Sequence, residues 1–188
     1  MKSVIISIKP YWVFLIIAKT MGWYIYSEKT IEVRKTCPKD NEWNKIGKIY
    51  CTKDKQSFNC IPKEYQPFMQ KFLGKVIGEF VCDYIEKYEP VESKINGGVE
   101  YQVTLQKLCE EIYMSIHEFC SYGNGKTLYG WHISDLIIYD KPKELSRFEK
   151  ICDLNCFAPC PYYRGKEYEC EKPIITRPPQ SWCYVEGV

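Results

Sequence analysis

Lys29, Glu32 and Arg34, spaced K-x-x-E-x-R, are the residues of this 188-residue chain whose types and spacing first suggest chemistry. They sit in Ser27-Glu28-Lys29-Thr30-Ile31-Glu32-Val33-Arg34-Lys35-Thr36, where Ile31 and Val33 alternate with Glu32 and Arg34. A period of two predicts a strand that buries the two aliphatic residues and sets a carboxylate beside a guanidinium on the other face. A surface ion pair of this kind contributes only ~0–1 kcal/mol and is the plain reading. A functional reading gives Lys29 and Arg34 a phosphate or a base edge to hold, while Glu32 accepts from an exocyclic amine or orients Arg34.

A second constellation is Cys152-x3-Cys156-x3-Cys160-x9-Cys170, between Phe148 and Pro173. Four thiolates can close a tetrahedral Zn²⁺ site of the structural kind, with no position left for water. Pro159, Pro161 and Gly165 mark irregular backbone that would gain order from a metal. Free or redox-paired thiols and an iron–sulfur cluster are the alternatives. The odd total of 11 cysteines and the expected reducing, cytoplasmic setting favour ligation over disulfides.

The Lys29, Glu32 and Arg34 pattern resembles the core motif of the ASCH domain, a PUA-like β-barrel family in which these side chains line a cleft. Leu128-Tyr129-Gly130-Trp131-His132-Ile133 and Arg177-Pro178-Pro179-Gln180-Ser181-Trp182-Cys183-Tyr184-Val185 look like stretches of small ASCH proteins encoded by phages and prophages. The three stretches span nearly the whole chain. One departure is Ser27, where the family often has glycine, after an added Met21–Tyr26 segment. The resemblance implies a single domain over 1–188 with a Cys-rich insertion at about 148–173. It also implies binding of RNA or a modified nucleotide, with Trp131 either a flat wall for a base or a core tryptophan. Some ASCH-like proteins are instead amidohydrolases on N4-acetylcytidine, with the motif lysine beside a threonine nucleophile. Glu32 stands where that threonine falls, so the covalent step is not available here, and in this alternative Lys29 and Glu32 are the catalytic pair, with Glu32 activating water as a general base. A phage or prophage accessory role with a protein partner is the remaining alternative.

The elements that must position these residues follow from hydrophobic periodicity. Ser3 to Ile8 reads as a strand, and Pro10 opens a short helix to about Ala18 whose apolar surface plugs the barrel. Thr30 to Lys35, Lys48 to Lys53 and Lys75 to Tyr84 read as further strands, with Gly78 marking a bulge or a close backbone approach. Glu79 either joins Glu32 at the cleft or lies on the barrel surface. Asp54 to Gly74 reads as a long connection with one helical turn. Thr104 to Cys120 has the strongest helical period, with Thr104 as N-cap and Cys109 and Cys120 on the buried stripe. Lys126 to Tyr139 and Ser181 to Val185 complete the strands. The expected fold class is α+β, a mostly antiparallel PUA-like barrel with flanking helices.

Bulk properties exclude more than they assign. Lys and Arg total 26 against 24 acids, a net charge of +2, so nucleic-acid binding needs a local patch rather than an overall basic field. The apolar run Tyr11–Ala18 is far short of the ~20 residues that span a bilayer, so no membrane role is expected. No G-x-G-x-x-G or P-loop pattern is present, and only His117 and His132 could serve a histidine mechanism.

Overall fold

The computed structural model describes residues 2–24, 28–39, 43–92, 99–151 and 174–186. The cysteines Cys152, Cys156, Cys160 and Cys170 lie outside the described residues, and so does Ser27. In chain order the elements are β1 (Lys2–Ile8), α1 (Pro10–Ile17), β2 (Ile31–Arg34), β3 (Ile46–Cys51), α2 (Lys55–Asn59), α3 (Gln66–Met69) and β4 (Lys75–Val81). There follow β5 (Ile85–Tyr88), β6 (Pro90–Glu92), β7 (Val99–Tyr101), α4 (Leu105–Lys107), α5 (Ile116–Gly123), β8 (Leu128–His132), β9 (Ser134–Glu144) and β10 (Trp182–Glu186).

The class is α+β, as the alternating strands led us to expect. A five-stranded sheet runs β10-β1-β3-β4-β9, a three-stranded sheet β2-β8-β5, and β6 pairs with β7 in a small ribbon. Every pairing is antiparallel except β1 with β3. That exception follows from α1, which carries the chain back across the sheet before β3 begins. Among the described residues no ladder joins the two larger sheets, so the mostly antiparallel, barrel-like arrangement is open. No helix among them is long and apolar enough to cross a membrane.

α1 fills the space that would be the barrel's interior. Pro10 stands in its first turn, where a missing N–H costs nothing, and Val13, Phe14, Leu15, Ile16 and Ile17 are all buried. They pack with Ile6 and Ile8 of β1, Ile49 of β3, Phe80 of β4 and Trp131 of β8 in one core. A second core places Ile31 and Val33 of β2 against Leu108, Ile112 and Phe119. The two aliphatic residues of the motif strand therefore anchor it to the helical segment that follows β7.

Gly78 is a close-approach glycine. The β4–β9 register shifts beside it, and a Cβ there would lie 2.3 Å from the Ile137 carbonyl oxygen. Backbone cannot yield as a side chain does, so Gly78→Ala is expected to cost about 2 kcal/mol, in the overpacking range, read as a lower midpoint in urea.

Two expectations about helices are corrected. Asp54 to Gly74 holds two short helices and the 3₁₀ turn Gln70–Phe72, with Asp54 capping α2 by accepting from the Ser57 amide. Thr104 does cap α4, but the helix does not run to Cys120. It widens to a π-turn at Leu108–Ile112, stops where Tyr113 turns left-handed at φ 64°, and restarts as α5. The restart is fixed by Ser115 and Glu118: the Ser115 hydroxyl accepts from the Glu118 amide while the Glu118 carboxylate accepts from the Ser115 amide. Because the break rotates the stripe, Cys109 is exposed rather than buried, and Cys120 only half-buried.

Candidate functional site

The broken helix and the motif strand complete each other. β2 is an edge strand, and Glu111 and Ile112 end the π-turn with carbonyls that have no further helical turn to bond. The Thr30 amide donates to the Glu111 carbonyl at 3.0 Å, and Lys29 Nζ donates to the Ile112 carbonyl at 2.7 Å. Nζ also donates to the Ile31 carbonyl at 2.7 Å, on the same strand edge. Its last partner is Glu32 Oε2 at 3.5 Å. An ammonium has three N–H donors, and these three acceptors match them. Burial pushes the Lys29 amine below the usual lysine range, and the neighbouring Glu32 charge pulls it back toward the charged form.

Glu32 is held from both sides. Its Oε1 accepts from Arg34 Nη2 at 2.9 Å, and its side chain is only 7% exposed. Arg34 Nη2 also donates to the Ser7 carbonyl at the end of β1, tying the edge strand of one sheet to the other sheet. Arg34 Nε is buried with no hydrogen-bond partner among the described residues. The carboxylate and guanidinium are side by side as the alternation implied, yet this is no exposed pair: it is a buried, three-membered ionic cluster. Removing one member of such a cluster strands the other charges in a poorly solvated place.

Above the cluster opens a cleft of about 280 Å³, close to the lower end of small-molecule pockets. Its walls include Trp12 and Lys9 beside α1, Glu32 and Arg34 on β2, and Glu118 and Tyr122 on α5. Trp12 is half-buried, and Lys29 Nζ lies 5.1 Å from its ring centroid. A cation so placed holds the ring as a fixed platform. Tyr122 also lines the cleft. Burial raises its hydroxyl's pKa, the Arg34 charge opposes that rise, and the Lys35 ammonium sits 5.0 Å from the ring. The site thus combines aromatic faces, a guanidinium, the exposed Lys9 and two carboxylates.

The sequence-derived residues divide on this geometry. Lys29, Glu32 and Arg34 come together, but Lys29 underlies the cleft instead of reaching into it, since its side chain is 2% exposed and its donors are taken. Its role is to position β2. Trp131 is corrected outright: it is 0% exposed, lies opposite Glu32 on β8, and packs between Trp43 and Trp182 at 5.6 and 6.0 Å. A ring with no accessible face cannot stack a base. Glu79 does not join Glu32, for it accepts from Lys48 and Tyr139 in the five-stranded sheet. Sequence reasoning missed Trp12, hidden in an apolar run, and Tyr122 and Glu118, which the assumed continuous helix misplaced. The Ser115-x-x-Glu118 spacing is the signal that could have found them. Among the described residues no cluster of three His, Cys, Asp or Glu side chains could hold a metal.

The arrangement of sheets and helices is that of an ASCH domain. A serine-to-alanine mutant of an ASCH protein from Zymomonas mobilis superimposes with a TM-score of 0.51 at 16% identity, over 98% of this chain and 88% of that one. A tyrosine-to-phenylalanine mutant from the same organism gives 0.45 at 16% identity, over 77% of each chain. The ASCH structure without a stated mutation gives 0.45 at 18%, over 76% and 73%. No family model matches the sequence, and no curated protein matches it either.

Proposed function

We propose that this protein is a nucleic-acid-binding module whose cleft takes a nucleotide of single-stranded RNA, plain or modified. The observation that carries the reading is Arg34. Its guanidinium is fixed at the cleft wall by Glu32 and the Ser7 carbonyl, in a cleft that Trp12 and Tyr122 also line. A pre-positioned cation in a cleft with two aromatic side chains suits a phosphate and its base, because stacking is tolerant of sequence and the charge adds affinity. Lys9, with a side chain 62% exposed, supplies a second positive charge at the rim. Both oxygens of Glu32 are engaged by cations, which leaves neither free to orient water and favours recognition over hydrolysis.

The test is fluorescence anisotropy of a labelled short oligouridylate at several salt concentrations. Arg34→Ala is expected to weaken binding and to reduce the salt slope by about 0.7 for each phosphate that the protein ceases to neutralise. Glu32→Gln, which removes the charge that holds Arg34, should weaken binding less than Arg34→Ala does. Steady release of acetate from N4-acetylcytidine by the native protein, abolished in Glu32→Gln, would replace this reading with the hydrolase one.

A further inference from the structure

We infer that the binding surface does not end at the cleft but continues along a row of aromatic rings over α1, the loop that follows it and α3, so that the protein holds several consecutive nucleotides of a single strand. The inference rests on the nucleotide-binding reading of the cleft and extends it.

The row begins at Trp12, the cleft's own platform. Tyr11 lies 5.2 Å from it, centroid to centroid, and Phe14 6.5 Å beyond. Trp23 stacks on Phe14 at 5.5 Å, Tyr65 packs on Trp23 at 4.9 Å, and Phe68 meets Trp23 edge-on at 5.0 Å. Phe14 is buried and serves as the keel, whereas Tyr11, Trp12, Trp23, Tyr65 and Phe68 are each half-exposed. All five rings pack against the main core and keep part of their surface in solvent. Tyr24, directly after Trp23, is 99% exposed.

Charge follows the rings. Residues 53–72 hold four lysines, Lys53, Lys55, Lys63 and Lys71, against the two acids Asp54 and Glu64. Four minus two is +2, and Tyr65, Phe68 and Lys71 fall within these twenty residues, whereas Lys53 lines the separate pocket with Tyr50 and Glu144. All four lysines are exposed. Lys71 Nζ stands 3.5 Å from the Phe68 centroid, placing a cation at the point where a phosphate would pass the last ring. One acid is also committed, since Asp54 caps α2 and lies 3.5 Å from Lys9. Aromatic faces interleaved with lysines are the arrangement by which single strands are held without regard to sequence. The cleft fixes one nucleotide, and the row takes its neighbours.

Anisotropy with oligouridylates of two and eight nucleotides tests the extension. The native protein is expected to bind the longer strand about tenfold or more tightly, as stacking of even one further base gives. The exposed-charge variant Lys63→Glu, which breaks no ion pair or ring contact among the described residues, the variant Lys71→Glu, which also removes the cation from the Phe68 ring, and the ring variant Tyr65→Leu should each lose most of that gain while binding the dinucleotide as before. Equal affinity for both lengths, or a length gain that survives all three substitutions, overturns the row and leaves the cleft standing. Loss of the length gain in these variants with Arg34→Ala without effect on either strand would sink the cleft and keep the row. Binding of neither strand by the native protein ends both.

Discussion

Glu32→Ala is expected to cost about 3–5 kcal/mol of folding stability, the penalty for breaking a buried ionic cluster by removing one partner. The carboxylate bridges Lys29 Nζ, at 3.5 Å, and Arg34 Nη2, at 2.9 Å, and alanine would leave both cations desolvated without it. For a chain of this length each kcal/mol moves the melting temperature by roughly 2–4 °C, so the variant should melt about 10 °C lower. A double variant, Lys29→Met with Glu32→Leu, should recover part of the stability, because it takes away the charge as well as its partner. A penalty under about 1 kcal/mol for Glu32→Ala would mean that the trio behaves as a solvated surface pair.

Trp131→Ala should be comparably damaging for a different reason. It empties a fully buried site between Trp43 and Trp182 beneath α1, and large-to-alanine changes of this kind cost about 3–5 kcal/mol. Affinity of the remaining folded protein for a dinucleotide should be unchanged, since Trp131 does not line the cleft. Trp12→Ala should show the opposite profile, with a small change in urea midpoint and a large drop in affinity. If Trp131→Ala weakened binding at unchanged stability, the assignment of the two tryptophans would have to be exchanged.

The contrast between these tryptophans shows what is legible in the sequence. Local patterns translate directly: Ile31 and Val33 alternate and are buried, Pro10 starts a helix, and Gly78 meets a neighbouring backbone. The charged trio is legible as a cluster because its spacing along one strand already places Glu32 beside Arg34. The burial of that trio is not, since it depends on the π-turn that ends at Ile112, far along the chain. Hydrophobic periodicity carries Thr104 to Cys120 as one helix, yet the stripe is equally compatible with two helices joined by a π-turn and a left-handed residue. The Ser115–Glu118 capping box, a local signal, competes with that stripe and wins because it meets the new helix's free amides. Trp131 lies in a strand that reads as half-exposed. That both of the sheets close over its ring is a tertiary fact with no counterpart in the local sequence. The four clustered cysteines remain a sequence-derived expectation of zinc, outside the described residues.

The central claim is that Arg34, Trp12 and Tyr122 form a nucleotide site above the Lys29–Glu32 pair. It is tested most directly by photocrosslinking an oligonucleotide bearing a single 4-thiouridine to the native protein and locating the adduct by mass spectrometry. The account predicts that the crosslink falls on Trp12 or Tyr122 and disappears in Arg34→Ala. An adduct on neither ring, lying instead in the larger pocket lined by Tyr50, Lys53, Ser146 and Thr176, would contradict it.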